Sequence, residues 1–292
     1  MTDTPQAGTP PAGPETTGHE WDGIAEYNNP LPRWWLITLY ATIAWAFAYW
    51  IAYPAWPLLT GYTGGLLGYS QREAVLSEVE AVRRDRDARG QAQLASASLD
   101  AIRADPALLR LALATGKAAF GDNCAGCHGG SATGATGYPN LQDDDWLWGG
   151  TPEAIERTIR TGVRSGHGEA HLGDMPAFGR DGLLTRAQIQ AVAGYVLSLS
   201  GRPGTPAATL DAGREVFAGT CAGCHGETGT GNPEMGAPNL ADAISLYGAS
   251  PEQVAATIAH GRKGVMPAWE GRLDPATIKS LAVYVHGLGG GR

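Results

Sequence analysis

Cysteine is scarce in this chain, and none is spare. The four cysteines among 292 residues all lie in two copies of the string Cys-Ala-Gly-Cys-His-Gly, starting at Cys124 and Cys221, so no thiol is left for a structural disulfide. Phenylalanine and methionine are equally rare, four each, against 42 glycines and 19 prolines. A chain so rich in turn formers has little side-chain mass for one large core. Small domains of that kind need a staple, which a cofactor can supply. A basic excess is also absent. The formal net charge is −8, and acidic residues match or outnumber basic ones throughout, 5 against 1 over residues 1–33 and 8 against 6 over 205–292. That argues against nucleic-acid binding and suits a basic protein partner. No Ser–His–Asp arrangement, phosphate loop or carboxylate pair stands at useful spacing, so nothing points to substrate chemistry.

Charge is missing altogether between Trp34 and Tyr53. These 20 residues suffice, at ~1.5 Å each, to cross a ~30 Å hydrocarbon layer. Trp34, Trp35 and Tyr40 lie at or near one end, and Trp50, Tyr53 and Trp56 near the other, where aromatic side chains favour membrane interfaces. A cleaved signal peptide has a shorter apolar core close to the start of the chain, whereas this one follows 33 mostly polar residues. The reading is an uncleaved anchor: residues 1–33 form a tail, 34–56 a transmembrane helix, and 57–105 a connector. Residues 1–18 have the composition of a disordered segment. Within the connector, Gln71 to Arg89 is dense in Arg, Glu and Asp, with Ala74, Val75, Val79 and Val82 on one helical face.

The second half is a repeat. GKAAFGDNCAGCHGG at 116–130 answers GREVFAGTCAGCHGE at 213–227, and Pro139-Asn140-Leu141 answers Pro238-Asn239-Leu240. Met175-Pro176-Ala177-Phe178 answers Met266-Pro267-Ala268-Trp269, and Tyr195-Val196 answers Tyr284-Val285. Helical patterning bounds two domains, 106–201 and 208–288, joined by a short Arg-Pro-Gly-Thr-Pro linker.

Cys-X-X-Cys-His is the attachment signature of c-type heme. Thiols three positions apart add across the two vinyl groups of one porphyrin, and the next histidine lies under the iron. The expectation is two covalent hemes c, held by Cys124 and Cys127 and by Cys221 and Cys224, with His128 and His225 as proximal iron ligands. A pooled zinc site explains neither the histidines nor the repeated methionine, and a thioredoxin-like dithiol expects a βαβ context. The second axial ligand requires a soft donor. Met175 and Met266 stand 51 and 45 residues after the first cysteine of their copies, each before a proline. Each is expected to serve the heme of its own repeat, because that partner is nearest along the chain. Crossed ligation is the alternative.

Met235, with no counterpart in the first copy, is read as a loop or heme-edge contact. His167 and His171, in an insertion before Met175, are read as surface residues and as the substitute ligands. His260 and His286 are also read as surface residues. Asp143, Asp144 and Asp145 are read as a solvated turn, and Trp146 and Trp148 as covers for the first heme. With both axial positions filled, the iron has no open site for oxygen, and electron transfer is the function that such a centre supports. Because Cys-X-X-Cys-His sites are modified outside the cytoplasm, the heme domains are expected in the periplasm and the N-terminus in the cytoplasm of a single-pass inner-membrane protein.

Asp22-Gly-Ile-Ala-Glu26-Tyr27-Asn28-Asn29-Pro30-Leu31-Pro32-Arg33-Trp34-Trp35 resembles the N-terminal anchor signature of the diheme cytochrome c subunits of cbb3-type oxidases. With the two motif-bearing repeats, the resemblance covers residues from about 20 to the end. It implies an all-α chain, one transmembrane helix followed by two tandem class-I-like cytochrome c domains. It also implies a bacterial respiratory complex that reduces oxygen and pumps protons. The implied partners are a catalytic subunit, a monoheme cytochrome c subunit and a soluble or anchored cytochrome c donor. A free-standing membrane-anchored shuttle and a heme sensor or peroxidase are the competing classes.

Overall fold

A computed structural model describes residues 15–202 and 207–290. The chain divides into two compact units, Met1–Val82 and Arg83–Arg292.

The first unit opens with a hairpin that the sequence reading did not anticipate. Strands β1 (Thr16–Trp21) and β2 (Ile24–Tyr27) pair antiparallel around Asp22-Gly23, with Trp21 opposite Ile24. Both turn residues have positive φ, the requirement of a tight two-residue hairpin turn, and Asp-Gly meets it well. The expected disordered segment lies largely outside the described residues, and its last residues, from Thr16, belong to β1. Helix α1 (Arg33–Ala52) follows Pro30 and Pro32 and stops at extended Tyr53, just before Pro54. None of its residues is buried, and its mean hydropathy is 1.5; it is apolar on every side, as a helix solvated by lipid must be. The loop after it folds back: Leu66 and Leu67 N–H donate to the Ile51 and Ala52 carbonyls, satisfying acceptors at the helix end. Helix α2 (Gln71–Ala88) buries none of its residues, and Val75, Val79 and Val82 remain exposed.

Among the described residues, the named elements of the second unit are all helices: α3 (Gln91–Ser96), α4 (Leu99–Ala104), α5 (Pro106–Asn123), α6 (Ala125–His128), α7 (Pro152–Thr161), α8 (Arg186–Leu199), α9 (Ala207–Val216), α10 (Ala222–His225), α11 (Pro251–His260) and α12 (Pro275–His286). A π turn, Phe217–Cys221, joins α9 to α10. The starts are written locally. Asp105, Thr151, Ser250 and Asp274 each accept backbone N–H bonds immediately ahead of a proline in the first turn, and Thr185 and Ser250 form capping boxes with Gln188 and Gln253.

Two hydrophobic clusters form. The first contains Phe120, Ile155, Ile159, Leu281 and Val285, joined by Cys124, Met266 and Trp269; the second contains Ile189, Val192, Phe217 and Ile258, joined by Cys221, Met175 and Phe178. The helices therefore pack across the repeats. Helix α12, from the second copy, lies on α5 and α7 of the first, while α8, from the first copy, lies on α9 and α11 of the second. Glycine makes both crossings possible: a Cβ on Gly116 would strike the Ser280 carbonyl, and one on Gly213 the Ala191 carbonyl. The start of the first core also differs from expectation. Leu94, Leu99 and Ile102, assigned to the connector, are buried in the first cluster, and Lys279 Nζ donates to the Ala95 and Ala97 carbonyls at 2.8 and 2.6 Å.

Candidate heme centres

In each copy, a long helix ends at the first cysteine and a single turn carries the rest of the motif: α5 then α6, and α9 with its π turn then α10. The loop beyond returns a proline carbonyl to the histidine. His128 Nδ1 lies 2.9 Å from the Pro139 oxygen, and His225 Nδ1 lies 3.0 Å from the Pro238 oxygen. A carbonyl only accepts, so Nδ1 carries the proton and Nε2 keeps its lone pair, as a metal-ligating imidazole requires. Burial pushes the His225 pKa down, although its bond to Pro238 acts the other way, so the neutral ligand form is favoured. Burial first, then the neighbouring cysteine, raises the Cys124 and Cys221 thiols to about 11. Burial thus disfavours the thiolate, the form a redox dithiol uses, at these two positions. Because Cys124 and Cys221 belong to separate clusters, the two pairs do not assemble a shared zinc site. The residues present fit two c-type hemes.

The methionine loops are exchanged between the copies. Val163 and Met266 bond reciprocally, N to O at 2.9 and 3.0 Å, and Met175 and Arg262 do the same at 3.0 and 3.1 Å. At φ of +72° and +70°, Gly162 and Gly261 let the opposite Met-Pro segments approach so closely that a Cβ would meet their backbones. Met266 packs with the Cys124 cluster and Met175 with the Cys221 cluster, an arrangement that favours the crossed alternative over closure within each repeat. Nearness along the chain does not decide the pairing, because the two Met-Pro-Ala-aromatic loops and the two final helices carry one pattern, so either can pack on either motif.

Other positions also differ from expectation. His171 is half-buried. Its ring stacks on Trp148, with centroids 4.2 Å apart, and its Nε2 lies 3.0 Å from Thr158 Oγ1. His167 Nε2 lies 2.8 Å from Glu270. Each candidate substitute ligand thus has a partner of its own. His260 is exposed, whereas His286 is half-buried. Met235 is exposed in its loop. The aspartate turn is not fully solvated: burial, then Asp242 and Asp143, raises Asp145 to about 6. Trp146 packs with the first cluster and donates to the Asp143 carbonyl at 2.9 Å.

A helix of membrane-spanning length and two cytochrome c domains define a membrane-anchored protein of the cytochrome c class. The N-terminal domain of FixP, from cytochrome oxidase-cbb3, matches residues 13–60, and subunit III of cbb3-type cytochrome c oxidase matches residues 111–196 and 208–285. Similar proteins include the cbb3-type cytochrome c oxidase subunit FixP of Azorhizobium caulinodans, 58% identical over 96% of this chain and 94% of the relative. FixP of Bradyrhizobium sp. ORS 278 is 57% identical, and the CcoP subunit of Cereibacter sphaeroides 52%, each over 96% of this chain and 97% of the relative. The chain belongs to the FixP/CcoP family of cbb3-type cytochrome c oxidase subunits.

Proposed function

We propose that this chain is the diheme electron-transfer subunit of a cbb3-type oxidase, with one covalent heme on Cys124 and Cys127 and a second on Cys221 and Cys224. His128 and Met266 would hold the first iron, and His225 and Met175 the second. When bound, each heme supplies a one-electron iron centre. The polypeptide does the rest. The Pro139 and Pro238 carbonyls fix the histidine tautomers, and the reciprocal Val163–Met266 and Arg262–Met175 bonds hold each thioether loop over the opposite motif. An iron held by both donors would have no free position for oxygen, which suits this subunit to relaying electrons. The observation that carries the reading is the paired arrangement of motif histidine, proline carbonyl and methionine loop.

The heme domains lie in the periplasm and the 33-residue tail in the cytoplasm of a bacterial inner membrane. Electrons arrive from a soluble or anchored cytochrome c. They pass through a monoheme cytochrome c subunit toward the catalytic subunit, where oxygen reduction and proton translocation take place.

Purification in mild detergent with a heme and metal census tests the assembly. Two hemes c per chain, together with heme b and copper from the partners, are expected. Two hemes c with no partner metals would favour a free-standing shuttle. Cys124→Ala with Cys127→Ala should remove one of the two hemes, and loss of neither would overturn the attachment sites.

A further inference from the structure

Arg164 stands where the two methionine loops meet. It follows Gly162-Val163 at the end of α7, at φ +50°, a left-handed conformation uncommon outside glycine. Its own N–H donates to the His171 carbonyl at 2.7 Å, which fixes the backbone there. The side chain then reaches two carbonyls at once. Nε donates to the Gly264 oxygen at 2.6 Å, and Nη1 donates to the Gly173 oxygen. Gly173 and Gly264 are equivalent residues, each two positions ahead of its methionine in Gly-Asp-Met-Pro and Gly-Val-Met-Pro. The second copy ties the same two loops only through an exposed ion pair. Lys263, the counterpart of Arg164, forms an ion pair with Asp174 at 2.6 Å, and both side chains are exposed.

We propose that Arg164 is a positioning residue that fastens the two methionine loops to each other, so that the placement of both thioethers is coupled through one guanidinium. This rests on the reading of Met175 and Met266 as axial ligands. A guanidinium presents several donors in a rigid planar fork, which suits two carbonyls on different segments, whereas an ammonium on a flexible stem is a single point. Each bond from a charged donor is among the stronger hydrogen bonds in a protein, and losing the fork leaves the loops held only by their backbone pairs and the exposed Lys263–Asp174 ion pair.

The test uses the full-length chain in detergent, with Arg164→Gln, Arg164→Lys and Lys263→Gln beside Met175→Leu and Met266→Leu. Two readouts are taken: the sulfur-to-iron charge-transfer band at the red edge of the oxidised spectrum, and amide exchange at Met175 and Met266, whose N–H groups bond Arg262 and Val163. Each methionine variant should remove about half of the band, one of two sulfur-ligated irons. Arg164→Gln should remove more than half and speed exchange at both methionines about tenfold. Arg164→Lys should preserve protection at one methionine only, and Lys263→Gln should leave both unchanged. Protection retained at both methionines in Arg164→Lys would overturn the proposal even if the Gln variant yields no folded protein. So would acceleration confined to one methionine in Arg164→Gln. If the methionine variants leave the band intact, the ligand reading fails, and amide exchange still decides whether Arg164 spans the two loops.

Discussion

The two cores share one plan but are assembled differently from the chain. The second, around Cys221, is continuous: the Met175 loop, α8, α9, α10 and α11 follow one another. The first, around Cys124, is split. It takes α5 to α7 from one stretch and the Met266 loop and α12 from another, and it adds α3 and α4, which precede α5 in the chain. The second core is thus inserted into the first as a permuted copy of it. Repeats in sequence and units in space need not coincide when each copy can lend its last helix to its neighbour.

Fragments break the comparison most sharply. Residues 165–264, exported with a leader, should fold cooperatively and hold one heme. Residues 91–201, a complete sequence repeat, should show no cooperative melt, because the first core lacks α12. A cooperative melt from the second fragment, with Met175 bound to iron, would restore the tandem arrangement.

Leu94→Ala tests whether α3 belongs to the first core. Leu94 is fully buried, so the substitution should cost about 2–5 kcal/mol in the transition of that core and spare the other. An inert result in chemical denaturation would return residues 91–104 to a spacer. Gly213→Ala should do the reverse. Driving a methyl into the Ala191 carbonyl should destabilise the second core by about 1–3 kcal/mol and leave the first near its original midpoint.

The smallest effect is electrostatic. Asp145 titrates near 6 because it is partly buried beside Asp242 and Asp143. Its folded pKa lies above the unfolded one, so between roughly pH 4 and 6 the native state holds the extra proton and stability falls as pH rises through that window. Asp145→Asn should flatten this slope and raise the midpoint at pH 7. A melting profile across pH 4–7 identical to that of the parent would remove Asp145 from the account.

The family and its long apolar helix were legible in the sequence. The anchor signature and the two motif-bearing repeats pointed to the cbb3-type diheme subunits, and the helix expected over 34–56 appears as α1, Arg33–Ala52, one residue early at its start and four residues short at its end, where Tyr53 is extended ahead of Pro54. The Asp22-Gly23 turn was equally visible, but the strands beside it alternate poorly and are exposed on both faces, so periodicity gave no warning. The exchange of helices was not legible. Tyr195-Val196 and Tyr284-Val285 present the same face to Gly116 or Gly213, and local pattern cannot say which helix meets which glycine. Only the reach of the chain decides it, and that is a property of the folded whole.

The central claim is the crossing of the methionines. The most direct measurement starts from Cys124→Ala/Cys127→Ala, in which only a heme on Cys221 and Cys224 should remain, and adds each methionine variant in turn. In that background Met175→Leu should abolish the sulfur-to-iron band and Met266→Leu should leave it intact. Abolition by Met266→Leu, with Met175→Leu silent, would contradict the account.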